Sequence, residues 1–215
     1  MKAKKLFKVC ALLMLVVMSC LSLTGCGGSK AEQKKFVITY LPNESTDKNA
    51  DARKGMAADL SKALGMEVTE LVSNDYNAVI EAMRTGKADM AYFGPLSFCL
   101  AYERAGAEPI GMIAKNKDKK NATYKSVLIT SSKSTDINGI QDIKGKTMAF
   151  VDPNSTSGNL IPSAAIMKAF PAEKLSMDDL HTNGKFFQAV SFSGKHQAGL
   201  AAVVKAHVQV APISD

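Results

Sequence analysis

From residue 35 onward, apolar and polar positions follow two rhythms. Short runs rich in β-branched and aromatic residues read as strands: 35–41 (KFVITYL), 66–72 (MEVTELV), 88–94 (ADMAYFG), 109–114 (PIGMIA), 124–130 (YKSVLIT), 146–151 (KTMAFV), 185–192 (KFFQAVSF) and 207–213 (HVQVAPI). Between them the apolar residues fall three and four apart, the period of a helix face. Residues 51–64 carry Met56, Leu60, Ala63 and Leu64 in this spacing and stop at Gly65. Asp75 is placed to cap a helix bearing Val79, Ile80 and Met83, which Gly86 closes. Pro95-Leu96-Ser97 opens another helix, and a last one runs from about His196 to Lys205. Residues 140–143 read as a short helix or turn, and 116–121 (NKDKKN) as a solvated turn. Strands alternating with helices predict an α/β fold with largely parallel sheets.

The N-terminal segment breaks this pattern. Lys2, Lys4, Lys5 and Lys8 precede an apolar run over 9–23 that only serines interrupt. A spanning helix needs roughly 20 apolar residues, so the run reads as a secretory signal. It ends in Leu23-Thr24-Gly25-Cys26, which resembles the lipobox of bacterial lipoproteins. That resemblance implies cleavage before Cys26, acylation of its sulfur and export. The expected division is a signal peptide over 1–25 and a polar tether over 26–34. Cys10 and Cys20 leave with the signal and Cys26 carries lipid. Cys99 then has no disulfide partner and reads as a small buried hydrophobe. The formal charge of +7 also shrinks, because loss of the four lysines leaves 23 bases against 20 acids. No basic stripe with interleaved aromatics marks a nucleic-acid surface. His181, His196, His207 and Cys99 show no metal-ligand spacing, and neither a metal nor a cofactor is expected.

The richest chemistry lies at 151–170 (VDPNSTSGNLIPSAAIMKAF). Ser155, Thr156 and Ser157 sit between a strand and an apolar helix. Pro162 has no N–H and is tolerated in a first turn, which places the helix start near 157–159. Hydroxyls and free amides at the positive end of a helix dipole make an anion site. Gly158 would let a ligand approach the backbone. The plainer reading is a serine N-cap with two polar neighbours.

The segment Asp152-Pro153-Asn154-Ser155-Thr156-Ser157-Gly158 resembles the DPNSTSG motif of the phosphonate-binding proteins, the solute receptors of phosphonate, phosphite and phosphate ABC transporters. Three further blocks are similar in the same order: 74–98, 124–130 and 193–211. The resemblance implies a type II periplasmic-binding-protein fold, with two lobes joined by crossing strands. Lobe one would cover 35–125 and lobe two 126–215, with crossings near 126–130 and 209–215. It implies phosphonyl contacts from Ser155, Thr156, Ser157 and Ser126, and cleft positions for Tyr40, Tyr92, Phe93 and His196. Tyr40 and Glu44, in the loop after the first strand, match loosely. Phe93 stands where relatives carry tyrosine, and Gln209 where they carry aspartate; Asp215 would reach the cleft. Core packing for Tyr92 and Phe93, a surface or helix-end place for His196 and a solvated Glu44 remain open beside these roles.

The implied function is capture of a phosphorus oxyanion for a membrane permease, without enzymatic turnover. The implied location is the outer face of the cytoplasmic membrane or the periplasm, held by lipid on Cys26. A sensor on the same fold, or a binder of another oxyanion such as a sulfonate, is the alternative. An enzyme would need a general base, for which only His196 is a candidate. Relatives continue for roughly another third of their length, so lobe one is expected to be incomplete and to leave part of its sheet and an apolar face open.

Overall fold

The computed structural model describes residues 34–43 and 47–215. The signal, Cys26, most of the tether and Glu44 lie outside the described residues.

Two sheets organise residues 35–215. The first has three parallel strands in the order β2-β1-β3: β1 (Phe36–Tyr40), β2 (Val68–Leu71) and β3 (Met90–Tyr92). Phe36 pairs with Val68 and Ile38 with Met90. Parallel pairing demands crossovers, which helices α1 (Ala50–Leu64) and α2 (Tyr76–Arg84) supply. The Asp75 carboxylate accepts from the Ala78 amide at 2.7 Å and caps α2, whose Tyr76, Val79, Ile80 and Ala82 are buried. Helix α3 (Pro95–Ala105) follows β3 and buries Ser97 and Ala101. Cys99 is exposed, contrary to the buried place expected of it. It lies two residues, about 200° of helical rotation, from Ser97, and so on the opposite face of α3.

The second sheet runs β4-β7-β5-β6: β4 (Ser126–Thr130), β5 (Thr147–Phe150), β6 (Ala189–Phe192) and β7 (Val210–Ser214). The strands β4 and β7 are antiparallel, with Ser126 opposite Ser214, and the other pairs are parallel. Helices α4 (Ile161–Ala169), α5 (Met177–His181) and α6 (His196–Val204) belong to this part of the chain. Its core joins Ile143, Met148, Phe150, Ile166, Leu180 and Val210 with Phe186 and Phe187. Those two phenylalanines precede β6 rather than lying in it. Their rings meet edge to face at 4.8 Å, so they fill the core from a loop.

One sequence expectation fails in an instructive way. Residues 109–114 form no strand, and Ile110, Met112 and Ile113 are 82, 68 and 72% exposed. Strand propensity needs a neighbouring strand and a face to cover, and no described strand pairs with this segment. Helix α1 forms at the expected place, yet none of its residues is fully buried; Met56 and Leu64 stand exposed.

The two sheets meet in one apolar cluster. Val151, just after β5, is buried among Leu41, Tyr76 and Val79 of the first sheet and its helix, with Ala91 and Phe93 alongside. The end of β5 therefore delivers the following turn directly to the seam.

Candidate functional site

The turn after β5 begins with Asp152. This carboxylate accepts from the Asn154 amide at 2.8 Å, an Asx turn that starts the chain curling. Burial pushes its pKa above the ordinary aspartate range, while the amides of Asn154 and Tyr76 pull the other way. Ser155 is the N-cap: its hydroxyl accepts from the Gly158 amide at 3.0 Å. The backbone then opens with a π turn over Thr156–Leu160 before tightening into α4. The Leu160 amide reaches back five residues to the Ser155 carbonyl at 3.0 Å.

Pro162 explains why the turn needs outside help. It is the second residue of α4, the first-turn place expected of it, although the π turn runs into α4 without a break. Its missing N–H and the change from π to α register together leave the carbonyls of Gly158 and Ser157 in need of donors. The Val151 amide takes the first at 3.0 Å and the Ser126 hydroxyl the second at 2.7 Å. Gly158 is explained differently from the sequence reading. A Cβ there would lie 2.3 Å from Val151 Cβ, so the glycine makes room for a packed side chain.

Ser157 faces His196, the first residue of α6, with Oγ and Nε2 3.1 Å apart. The other ring nitrogen, Nδ1, lies 3.4 Å from the Pro212 carbonyl. A carbonyl only accepts, so in the neutral ring Nδ1 holds the proton and Nε2 accepts from the Ser157 hydroxyl. Burial pushes the His196 pKa down, with the Pro212 carbonyl opposing, so the ring is neutral near pH 7.

Thr156 points to the first sheet. Its Oγ1 accepts from the Leu96 amide in the first turn of α3 at 2.8 Å. A Cβ on Gly94 would lie 3.5 Å from the same oxygen and 3.9 Å from the Tyr124 hydroxyl. The N-termini of two helices, the 156–169 stretch and α3, therefore converge on Thr156. Ser155 and Thr156 accept hydrogen bonds here and have their own protons to give. Ser126 and Ser157 donate theirs within the network.

The structure thus links Ser126, Ser157 and His196 by hydrogen bonds, while Ser155 and Thr156 adjoin them in the same turn with their hydroxyls bonded to the Gly158 and Leu96 amides. The aromatic candidates lie on the first sheet. Tyr40 and Tyr92 are register partners at the ends of β1 and β3. Tyr40 is buried with the Arg53 guanidinium 5.8 Å from its ring centre, and burial raises its hydroxyl pKa. Tyr92 is exposed, and Phe93 packs into two apolar clusters. The Asp215 carboxylate accepts from the Lys125 amide at 2.6 Å. The Gln209 side-chain carbonyl accepts from the Thr147 amide at 3.2 Å and so serves the second sheet.

Sequence reading missed the groups that brace the turn. The Asn159 amide group donates to the Pro153 carbonyl at 2.9 Å, while its Oδ1 meets His181 Nε2 at 2.7 Å. It also missed Asn43, whose Oδ1 accepts from the His196 amide at 2.9 Å. The only sequence signal for Asn43 is a polar residue after a strand, which is common to most loops.

Two α/β sheets, an antiparallel crossing pair β4–β7 and a hydroxyl turn at their seam define a periplasmic-binding-protein fold. Residues 38–215 match the family described as ABC transporter, phosphonate, periplasmic substrate-binding protein, and the chain belongs to that family. It is 27% identical over 189 residues to a phosphate-import protein of Mycolicibacterium smegmatis, covering 84% of this chain and 57% of that protein. It is 32% identical over 157 residues to the phosphonates-binding periplasmic protein of Escherichia coli, covering 71% of this chain and 42% of that one. The crystal structure of a binding-protein component of an ABC phosphonate transporter from Pseudomonas aeruginosa superposes with a TM-score of 0.72 at 26% identity. That match covers 86% of this chain and 58% of the other. The chain therefore spans about half the length of the relatives it matches.

Proposed function

We propose that this chain captures a small phosphorus oxyanion, foremost a phosphonate, outside the cytoplasm and passes it to an ABC permease. The observation that carries this reading is the meeting of two helix N-termini at Thr156, beside the hydroxyls of Ser126, Ser155 and Ser157. Positive helix ends and neutral donors favour an anion without fixing it as firmly as lysines would. The anion would take the protons of Thr156 and Ser155. Ser157 would turn from His196 toward it, and Ser126 would follow. Tyr40, Tyr92 and Phe93 would face the organic substituent. Kinship with transport receptors supports binding rather than turnover.

Calorimetry with methylphosphonate, phosphite and phosphate tests the assignment. Losing one hydrogen bond to a charged group costs about 1.5–3 kcal/mol, or about ten- to a hundredfold in affinity. Thr156→Val should weaken binding by that factor, and by orphaning the Leu96 amide it should lower the melting midpoint by about 2–4 °C without preventing folding. Unchanged affinity would remove Thr156 from the site, and tighter binding of an alkylsulfonate would move the ligand class. For the lipid anchor, Cys26→Ser should release the protein from membranes; mass spectrometry finding native Cys26 unmodified would exclude it.

A further inference from the structure

Three helices begin at the seam, and each has an early amide taken by an acceptor from across it. The Tyr76 amide at the start of α2 serves the Asp152 carboxylate. The Leu96 amide of α3 serves Thr156 Oγ1. The His196 amide of α6 serves Asn43 Oδ1. Asp152 and Thr156 belong to the hydroxyl turn itself. Asn43 does not: it lies in the loop after β1, 153 residues from His196 in the chain.

Asn43 makes more of its position than one bond. Its backbone carbonyl accepts from Gln197 Nε2 at 3.3 Å, and its side-chain amide donates to the Tyr76 hydroxyl. One residue therefore ties the start of α2 to the first two residues of α6. Helix α6 has no cap of its own, because Lys195 at its N-cap position supplies no side-chain acceptor. Asn, Asp and Ser are the residues that ordinarily fill this role locally. Here the acceptor comes from the other sheet. The helix it caps begins with His196, whose Nε2 meets Ser157.

We propose that Asn43 is a positioning residue that caps α6 across the seam, holding the two sheets together and, through His196, fixing the orientation of Ser157. The cap exists only when the sheets meet, so Asn43 favours the closed arrangement over an open one. A ligand that binds the closed arrangement has its apparent affinity scaled by the closed fraction. This affinity consequence rests on the anion-binding reading above, while the cap itself does not.

The test uses the full 215-residue chain with Asn43→Ala and Asn43→Asp. The first readout needs no ligand: hydrogen exchange at the His196 amide, compared with the Ala78 amide that Asp75 caps locally. Asn43→Ala should speed exchange at His196 about fivefold, the equivalent of about 1 kcal/mol for a lost cap, and leave Ala78 unchanged. Asn43→Asp keeps the acceptor and adds negative charge at a helix N-terminus, so protection should be kept or deepened. The second readout is methylphosphonate affinity, which should fall in Asn43→Ala by at most about fivefold, less where the closed fraction is already large, and recover in Asn43→Asp. Wild-type exchange at His196 in Asn43→Ala, or equal acceleration at His196 and Ala78, overturns the proposal. If Asn43→Ala does not fold, Asn43→Asp decides alone, and lost protection at His196 then refutes the cap. If the wild-type chain binds none of the oxyanions, the anion-binding reading falls while the exchange data still judge Asn43.

Discussion

Replacing a glycine by alanine should have opposite effects at two positions of this chain, and the difference can be worked from local geometry. At Gly158 an added Cβ would lie 2.3 Å from Val151 Cβ, 2.4 Å from Val151 Cγ2 and 2.7 Å from Ser155 Oγ. Rotation about χ1 can move Cγ2 but not Cβ, so the backbone itself has to shift. Val151 is held among Leu41, Tyr76 and Val79, and the shift would disturb the seam as well as the turn. Overpacking of this kind costs typically about 1–3 kcal/mol, and a clash with an immobile Cβ belongs at the upper end. Alanine recovers about 0.5–1 kcal/mol over glycine in a helix interior, leaving a net loss of about 2 kcal/mol. For a domain of this size each kcal/mol moves the midpoint by about 2–4 °C, so Gly158→Ala should melt about 4–8 °C lower. Gly55 lies within α1, and a methyl group added there would have nothing within 4 Å. There the helix gain stands alone, and Gly55→Ala should melt about 1–4 °C higher. Calorimetric melts of both variants without ligand make the comparison. A Gly158→Ala midpoint at or above wild type would refute the packing account of this glycine.

Burial holds the His196 pKa below the ordinary 6.5, so the unfolded chain takes up a proton before the folded one. Its contribution to stability is complete above pH 6.5 and is lost as the pH falls through that value toward the folded pKa; His181 shifts in the same direction, also through burial. Urea midpoints between about pH 7.5 and about pH 5 should fall less steeply for His196→Gln than for wild type, and parallel profiles would exclude this linkage. Asp75→Ala should remove the cap of α2 and cost about 1 kcal/mol, lowering the urea midpoint; an unchanged midpoint would mean the cap contributes nothing.

The legible part of this molecule was its local grammar. Asp75 caps α2, strands arise at 36–40, 126–130 and 147–150, and a helix follows the hydroxyl turn, each announced by residues within a few positions. Partners far along the chain were not legible. Ser126 serves the carbonyl of Ser157, 31 residues away, where the π turn and Pro162 leave carbonyls short of donors. Asn43 reaches His196 across 153 residues. Periodicity also says which face is apolar without saying what covers it. That is why residues 109–114 read as a strand yet stand open without one, and why Cys99 reads as interior yet is exposed. Gly158 illustrates a third limit: its need for a bare Cα was readable, but the occupant of the space was not.

The strand order β4-β7-β5-β6 has a consequence for the timing of folding. Strand β7 lies between β4 and β5, yet it is the last of the four to be synthesised. Until residues 210–214 are available, β4 has no partner and β5 has only β6. Such non-local closure slows folding, because the loop must be ordered before its contacts form. The second sheet of a nascent chain would therefore close only with its last strand, long after the first sheet has all three of its own.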